Sequence, residues 1–269
     1  MNIIQSIILG TIQGLTEFLP ISSSGHLIIL PKIFGWQDQG LAFDVFLHLG
    51  TLLAVLFFFR RDWFKIFKAI IFRKKSEYKK DRKLALVIII GIIPAVCLGF
   101  FLNDLIGNQL RLPLVVGINL IFWGIVLGIA DWRTKKQKNA INNEKNISYS
   151  KALIIGIFQA ISLIPGGSRS GLSITGGLFV GLNRKTAVRF SFLMSAPLIL
   201  GAGLFEGIKI FNGSTMNINW INFFFGFFAA LLSGILAIRL IIYLAERKSF
   251  MPLVIYRIIL GIFILLFLL

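Results

Sequence analysis

Reactive side chains are concentrated in residues 13–26, which read QGLTEFLPISSSGH. Gln13 and Glu17 are four positions apart, so both would lie on one face of a helix. Two oxygen-bearing side chains on one face can hold a hard cation such as Mg²⁺ or Ca²⁺, with water and a phosphate completing its shell. The competing interpretation is a structural glutamate hydrogen-bonded to a neighbouring helix. The position of the pair, just before a serine-rich break, favours a metal site.

A candidate nucleophile lies in the run Ser22, Ser23 and Ser24, which His26 closes. Serine attacks once a base removes its proton, and histidine is the usual base. Ser23 and His26 could share a face of a helix that starts at the serines. We therefore expect Ser23 as nucleophile and His26 as base, with His26 as direct nucleophile left open. Alternatively, the serines cap that helix and His26 makes a structural hydrogen bond. The second histidine, His48, lies within an apolar run and is interpreted as a packing residue.

A second polar break occurs at residues 165–171, which read PGGSRSG. Glycines let backbone N–H groups approach an anion, and a helix that starts after the loop offers its positive end. Arg169 is the only basic residue between Lys151 and Arg184, and its planar fork matches phosphate oxygens. Opposite a cluster of Glu, Ser and His, this loop indicates phosphoryl chemistry. The alternative is an Arg169–Glu17 ion pair with a structural role. The candidate anion-binding residues are Ser22, Gly166, Gly167, Ser168, Arg169 and Ser170.

The composition of the chain is that of an integral membrane protein. Of its 269 residues, 57% are hydrophobic and only 14% are charged, whereas soluble domains carry about 25% charged residues. Its mean hydropathy is +0.86. The net charge of +17 comes mostly from basic residues in short loops, so we expect no nucleic-acid partner. The single cysteine excludes an intrachain disulfide, and the first basic residue, Lys32, lies too late for a signal peptide.

Six apolar runs are long enough to span a bilayer. Lysine and arginine cluster in three of the loops between them, which we place on the cytoplasmic side, and the other loops face outward. The runs are 41–59, 84–102, 113–130, 190–211, 221–244 and 252–269. The cytoplasmic loops are 60–83, 131–151 and 245–251, and the outward loops are 103–112 and 212–220.

This orientation makes the two polar segments re-entrant. Segment 1–40 starts and ends outside and breaks at Pro20, whereas segment 151–189 starts and ends inside and breaks at Pro165. Irregular backbone at membrane depth is tolerated only where protein or a water-filled cavity covers it. Both breaks should therefore be buried at a polar site.

The two re-entrant segments also resemble each other. Residues 8–13 read ILGTIQ and residues 154–159 read IIGIFQ, and each stretch is followed by a proline and a Ser-x-Ser-Gly sequence. We therefore predict an all-α integral membrane protein with six transmembrane helices and two re-entrant helix hairpins, arranged as an inverted-topology repeat. The predicted single membrane domain, 1–269, comprises repeat one (1–130), a cytoplasmic loop (131–150) and repeat two (151–269).

The motifs at residues 13–26 and 165–171 closely resemble those of bacterial undecaprenyl-diphosphate phosphatases of the bacitracin-resistance type. The resemblance covers essentially the whole chain, including residues 190–193 (FSFL) and 255–257 (IYR). It implies hydrolysis of undecaprenyl diphosphate to undecaprenyl phosphate and inorganic phosphate, which recycles the lipid carrier of peptidoglycan synthesis and gives bacitracin resistance. It also implies a bacterial plasma-membrane enzyme whose active site opens to the outer side.

The resemblance carries implications for individual residues. Many family members have Glu where this chain has Gln13, which lowers the negative charge at the metal site but stays within the family pattern. A threonine common in the second motif is Ser173 here and keeps its hydroxyl. The implied roles are metal binding by Gln13 and Glu17, catalysis by Glu17, Ser23 and His26, and phosphate binding by Ser168 and Arg169.

A different class of function, a secondary transporter or lipid flippase, would suit the same architecture. Inverted repeats with broken helices are typical of transporters, and a carboxylate with a histidine could relay protons. Phosphate release without a membrane gradient separates the enzyme from the transporter. The expected partners are a polyprenyl diphosphate and membrane lipids. A homo-oligomer stays open.

Overall fold

A computed structural model of the chain describes residues 1–104, 110, 112–134, 137, 139–211, 219–247 and 249–268. Within those residues the fold is all-helical, with one isolated β-bridge between Ile141 and Leu182. Eleven α-helices are described: α1 (Ile3–Phe18), α2 (Ser23–Phe34), α3 (Leu41–Phe58), α4 (Arg60–Ile71), α5 (Lys79–Asp104), α6 (Pro113–Thr134), α7 (Tyr149–Ile161), α8 (Arg169–Phe179), α9 (Arg184–Phe211), α10 (Trp220–Arg247) and α11 (Met251–Phe267).

The helices confirm the predicted class of a multi-pass α-helical membrane protein. Four of them, α5, α6, α9 and α10, are long and apolar enough to cross a bilayer, and α3 with α4 makes a fifth candidate. The sixth predicted span corresponds to α11, which is apolar but has only 17 residues. The predicted outward loops, 103–112 and 212–220, lie largely outside the described residues.

One helix corrects the predicted loop at residues 60–83. Residues 60–71 form α4, which bends by 80° away from α3. Two of its apolar residues, Ile66 and Ala69, are buried, whereas Arg60, Arg61 and Lys65 are exposed and Lys68 is half-buried. Counting charge overlooked the amphipathic period of this segment.

Both predicted breaks are real and have the same local geometry. Helix α1 ends before Pro20 and α7 ends before Pro165. Ser22 precedes α2 and Ser168 precedes α8, and among the described residues they are the only non-glycine residues with positive φ, 72° and 73°. Each hydroxyl caps its helix by accepting a backbone N–H, from Gly25 at 3.3 Å and from Gly171 at 3.1 Å. The alternative of a capping serine is confirmed for Ser22, and Ser168 caps α8 in the same way.

Close helix packing positions the two broken segments. Helix α1 packs along α10, and α7 packs along α5. A Cβ added at Gly10 would overlap the carbonyl oxygen of Gly226, and one added at Gly156 would overlap the carbonyl oxygen of Gly91. Small residues let helix backbones approach this closely in membranes. The sequence similarity around Gly10 and Gly156 therefore reflects the same packing requirement.

Replacing Gly10 by valine is expected to destabilise the fold by about 1–3 kcal/mol or more, because the added carbons collide with rigid backbone. Thermal unfolding in detergent measures the effect as a lower midpoint. Gly201→Val in α9 is the matched control, because a Cβ there has no atom within 4 Å. Equal midpoints for the two variants would contradict the proposed close contact.

Candidate active site

The side chain of Glu17, only 3% exposed at the end of α1, is the centre of the polar cluster. Its Oε1 accepts hydrogen bonds from Arg169, at 2.7 Å from Nη2 and 3.2 Å from Nε. Its Oε2 accepts a short bond of 2.6 Å from the hydroxyl of Ser23 and one of 3.0 Å from Gln13 Nε2. His48 Nε2 lies 3.3 Å from the same oxygen. One buried carboxylate thus connects side chains from α1, α2, α3 and α8.

The Arg169–Glu17 contact joins the two breaks directly. This is the ion pair that the sequence analysis offered as a structural alternative. The side chain of Arg169 in this pair is 13% exposed. The backbone of Arg169 is fixed by Ser173, whose hydroxyl donates a 2.6 Å hydrogen bond to the Arg169 carbonyl oxygen. The hydroxyls of Ser173 and Ser191 are hydrogen-bonded at the same distance. The hydroxyl kept at position 173 therefore supports the first turn of α8.

His48 belongs to this cluster, so its interpretation as a packing residue is wrong. Its Nδ1 lies 2.7 Å from the carbonyl oxygen of Asp44, and its Nε2 faces the Glu17 carboxylate. Both ring nitrogens face oxygen acceptors, an arrangement in which a protonated ring donates from both of them. In that form His48 and Arg169 would place two positive charges beside one carboxylate.

His26 occupies a different place from the one expected. Its Nδ1 lies 2.7 Å from the carbonyl oxygen of Ser22, and its Nε2 lies 2.7 Å from the Tyr256 hydroxyl, with the two rings stacked at 5.8 Å. In the described structure Ser23 pairs with Glu17 rather than with His26. The expected Ser23–His26 hydrogen bond is therefore corrected to Ser23–Glu17. The cause is the cap at Ser22: the imidazole of His26, one turn later, is hydrogen-bonded to the Ser22 carbonyl oxygen and so is turned away from Ser23.

The other predicted anion-binding serines shape the breaks. Ser168 caps α8 and lies 3.3 Å from the hydroxyl of Ser170, and Ser22 has the same distance to Ser24. Ser170 also donates to the carbonyl oxygen of Leu19 at 3.2 Å, which links the second break to the first. Ser23 and Arg169 are the first residues of their helices, where free N–H groups favour anions.

The predicted glycines turn their carbonyl oxygens toward an arginine that the sequence argument did not use. Gly166 has φ of 88°, and its carbonyl oxygen accepts from Arg257 at 3.1 Å. Gly167 accepts from the same guanidinium at 2.9 Å. Arg257 and His48 each interrupt an apolar run, and an ionisable residue inside a membrane span is a functional candidate by default. The sequence therefore already contained a signal for both residues, namely an ionisable side chain within an apolar run.

Both oxygens of Glu17 accept hydrogen bonds from protein groups, so a divalent cation there would need a substrate that draws Arg169 away and helps to hold the ion. Gln13 Oε1 is buried beside the carboxylate and has no hydrogen-bond partner in the described structure. No group of three or more His, Cys, Asp or Glu that could hold a metal occurs among the described residues. Mg²⁺ commonly binds through one or two protein oxygens plus waters and substrate phosphates. Gln13 and Glu17 match that sparse arrangement better than the many-ligand cage that Ca²⁺ prefers.

The family model described as "Bacitracin resistance protein BacA" matches residues 6–263 of the chain. The chain belongs to the BacA family. The match includes both helix breaks and every residue around Glu17, so the resemblance inferred from the two motifs is confirmed at the level of the family.

Curated relatives of this BacA family member match it over nearly its full length. A protein of Marinobacter nauticus named undecaprenyl-diphosphatase is 44% identical over 264 residues, which cover 97% of each chain. One of Hahella chejuensis with the same name is 44% identical, over 97% of this chain and 96% of its own. The undecaprenyl-diphosphatase 1 of Pseudoalteromonas translucida is 42% identical, over 100% of this chain and 99% of its own.

Proposed function

We propose that this chain hydrolyses undecaprenyl diphosphate to undecaprenyl phosphate and inorganic phosphate. The carrying observation is that one buried carboxylate, Glu17, holds a serine hydroxyl from one broken helix and an arginine from the other. Membership of the BacA family and relatives named undecaprenyl-diphosphatase support this activity over transport. The reaction recycles the lipid carrier of peptidoglycan synthesis and thereby gives bacitracin resistance.

The first chemical step is attack by Ser23. Its hydroxyl already donates to Glu17 at 2.6 Å, so the carboxylate is placed to take the proton. A bond forms between Ser23 Oγ and the terminal phosphorus while the bond from that phosphorus to the bridging oxygen breaks. Undecaprenyl phosphate leaves as an anion. This step makes Glu17, rather than His26, the base for the serine.

Arg169 holds the diphosphate during this step. When the substrate binds, the Arg169 guanidinium releases Glu17 and donates to phosphate oxygens instead, whose spacing matches its planar fork. The N–H groups at the starts of α2 and α8 add hydrogen-bond donors, with Ser22, Gly166, Gly167, Ser168 and Ser170 shaping the two loops that present them. Glu17 is thereby freed as Ser23 is brought to the phosphorus.

Hydrolysis of the phosphoserine completes the cycle. A water attacks the phosphorus and gives its proton to a base, while the bond from the phosphorus to Ser23 Oγ breaks and Ser23 takes back its proton from Glu17. His26 lies one turn from Ser23 on α2, and we assign the water proton to it. Its Nδ1 faces the Ser22 carbonyl oxygen and its Nε2 faces the Tyr256 hydroxyl, so the water must replace that hydroxyl at Nε2 before the proton moves. Phosphorylation of His26 instead of Ser23 would identify His26 as the nucleophile.

We also propose a divalent cation at Gln13 and Glu17, most suitably Mg²⁺. Bound there, it would offset negative charge on the phosphate oxygens. The unpartnered Gln13 Oε1 supports this position.

The proposed architecture is six spans and two re-entrant hairpins in an inverted repeat. Equivalent contacts between the two repeats support it. Helix α1 of repeat one packs on α10 of repeat two, and α7 of repeat two packs on α5 of repeat one. Helices α6 and α11 add a reciprocal contact. A Cβ at Gly117 would meet Leu265, and one at Gly261 would meet Ile121, as a two-fold relation requires. Sites in such folds lie near the midplane between the repeats.

We also propose a location for the enzyme. The enzyme lies in the bacterial plasma membrane, the isoprenyl tail lies along a lipid-facing groove lined by phenylalanines, and the diphosphate enters a cavity that opens outward. Charge in the loops supports the orientation.

The test of the function is phosphate release from undecaprenyl diphosphate by purified protein in detergent micelles, where no gradient exists. We expect stoichiometric release of inorganic phosphate. Gradient-dependent movement of the lipid in vesicles without hydrolysis would support the transporter and contradict the enzyme.

Replacing His48 by glutamine is expected to lower kcat by about 10²-fold, because the amide does not reproduce the two contacts of the ring, with Asp44 and with Glu17, that fix the position of the carboxylate beside Ser23. KM should change little, since Arg169 still holds the diphosphate. Initial-rate measurements over a range of substrate concentrations separate the two constants. A variant with wild-type kcat would return His48 to a packing role.

A further inference from the structure

Arg257 in α11 is a fully buried arginine whose partners are carbonyl oxygens. Its side chain has 0% exposure. Its guanidinium donates to Pro20 in the first break at 3.0 Å and to Gly166 and Gly167 in the second break at 3.1 and 2.9 Å. Further, longer bonds reach Leu120 and Asn119 of α6 at 3.3 and 3.4 Å.

These carbonyl oxygens are exposed by the breaks themselves. Where a helix stops, its last carbonyl groups lose their intrahelical partners, and burial makes an unpaired group costly. The five N–H donors of one guanidinium satisfy both breaks at once. Gly171 makes room for this arrangement, because a Cβ there would lie 2.6 Å from Arg257 Nη1.

The charge of Arg257 meets no carboxylate in the part of the chain that the structure describes. Two other largely buried arginines there do form ion pairs: Arg184 with Asp131, and Arg169 with Glu17. A buried charge of this kind is expensive unless it is compensated. Its neighbours, the starts of α2 and α8, also carry positive partial charge. The ends of α1 and α7, which carry negative partial charge, offset those two helix starts, so the charge of Arg257 itself remains for an incoming anion to neutralise.

We propose that Arg257 is a positioning residue: it clamps the two breaks so that Ser23 and Arg169 face one substrate, and its charge attracts the diphosphate. The proposal rests on the proposed hydrolysis. It assigns two separable roles to one side chain. The clamp needs the planar fork, whereas the attraction needs only the charge.

Two substitutions separate these roles. Arg257→Lys keeps the charge but cannot bridge both breaks. We expect its kcat to fall by about 100-fold, the size of effect that a misplacement of about 1 Å produces, with binding of diphosphate nearly unchanged. Arg257→Met removes both features. We expect the same loss in kcat together with binding that is weaker by about tenfold.

The experiment combines rates in micelles with calorimetric binding of methylenediphosphonate, a diphosphate analogue whose P–C–P bridge cannot be hydrolysed. Rates are expressed per folded protein after size-exclusion chromatography. Arg184→Met is the matched control, since Arg184 pairs with Asp131 away from the breaks. We expect this control to unfold at a lower temperature but to retain wild-type kcat and binding.

The outcomes are distinct. Wild-type kcat in Arg257→Lys overturns the clamp, and wild-type binding in Arg257→Met overturns the attraction. If Arg257→Met fails to fold, the kcat of Arg257→Lys still tests the clamp. Because Arg257→Lys keeps the positive charge, weaker binding of methylenediphosphonate by this variant would contradict the role of that charge. Absence of hydrolysis by folded wild-type protein contradicts the proposed function instead, while the binding comparison still tests the charge.

Discussion

Glu17→Gln is expected to reduce kcat by about 10³-fold or more, the largest effect of any single substitution in α1. The amide has nearly the same shape but cannot take the Ser23 proton, so the attacking oxygen is not activated. It also leaves Arg169 and His48 without their shared counter-charge. Removing one partner of a buried ion pair costs about 3–5 kcal/mol, so the thermal midpoint should fall as well.

Rates per folded protein separate these two consequences. Glu246→Gln is the matched control, because Glu246 pairs with Lys185 in an exposed bridge at the far end of α10. Surface bridges contribute about 0–1 kcal/mol, so this control should keep both its activity and its midpoint. If folded Glu17→Gln hydrolysed the substrate at the wild-type rate, Glu17 could not be the base.

Arg169→Met is expected to lower kcat/KM by about 10³- to 10⁴-fold, with contributions from both constants. KM rises because the substrate loses a bidentate partner for its phosphate oxygens. The value of kcat falls because charge developing on those oxygens is no longer stabilised. The kcat/KM of Arg169→Lys should lie between those of the wild type and Arg169→Met, since an ammonium keeps the charge but loses the fork. Steady-state kinetics in micelles over a wide substrate range measures both effects.

Arg189→Met is the control for this prediction. Arg189 contacts Asp62 and Glu144, so it is also a paired arginine, but it holds α4 and the loop before α7 rather than a break. It should lose stability without losing activity per folded molecule. An Arg169→Met variant with unchanged KM would show that the arginine serves only as an internal partner of Glu17.

The local features of the site could be predicted from short stretches of sequence. The spacing of Gln13 and Glu17 on one helix face gives a direct hydrogen bond of 3.0 Å. Proline followed by Ser-x-Ser-Gly marks a helix stop and a capped restart at both Ser22 and Ser168. Each of these inferences depends on residues within one or two turns, where backbone geometry limits the alternatives.

The pairings between distant helices could not be predicted in the same way. His48 contacts Glu17 only because α3 packs beside α1, and Arg257 reaches both breaks only because α11 packs on α6. The choice of Glu17 over His26 as the partner of Ser23 depends on where the cap at Ser22 directs the imidazole. Sequence separation carries no information on these contacts, although the ionisable residue types in apolar runs did mark the candidates.

The most direct test of the account compares phosphate release from undecaprenyl diphosphate by wild-type protein and Ser23→Ala in micelles. Ser24→Ala is the matched control, since the neighbouring hydroxyl contacts Ser22 rather than Glu17. The account predicts release by the wild type and the control, and release slower by about 10³-fold or more in folded Ser23→Ala. Equal rates for Ser23→Ala and the wild type would contradict it.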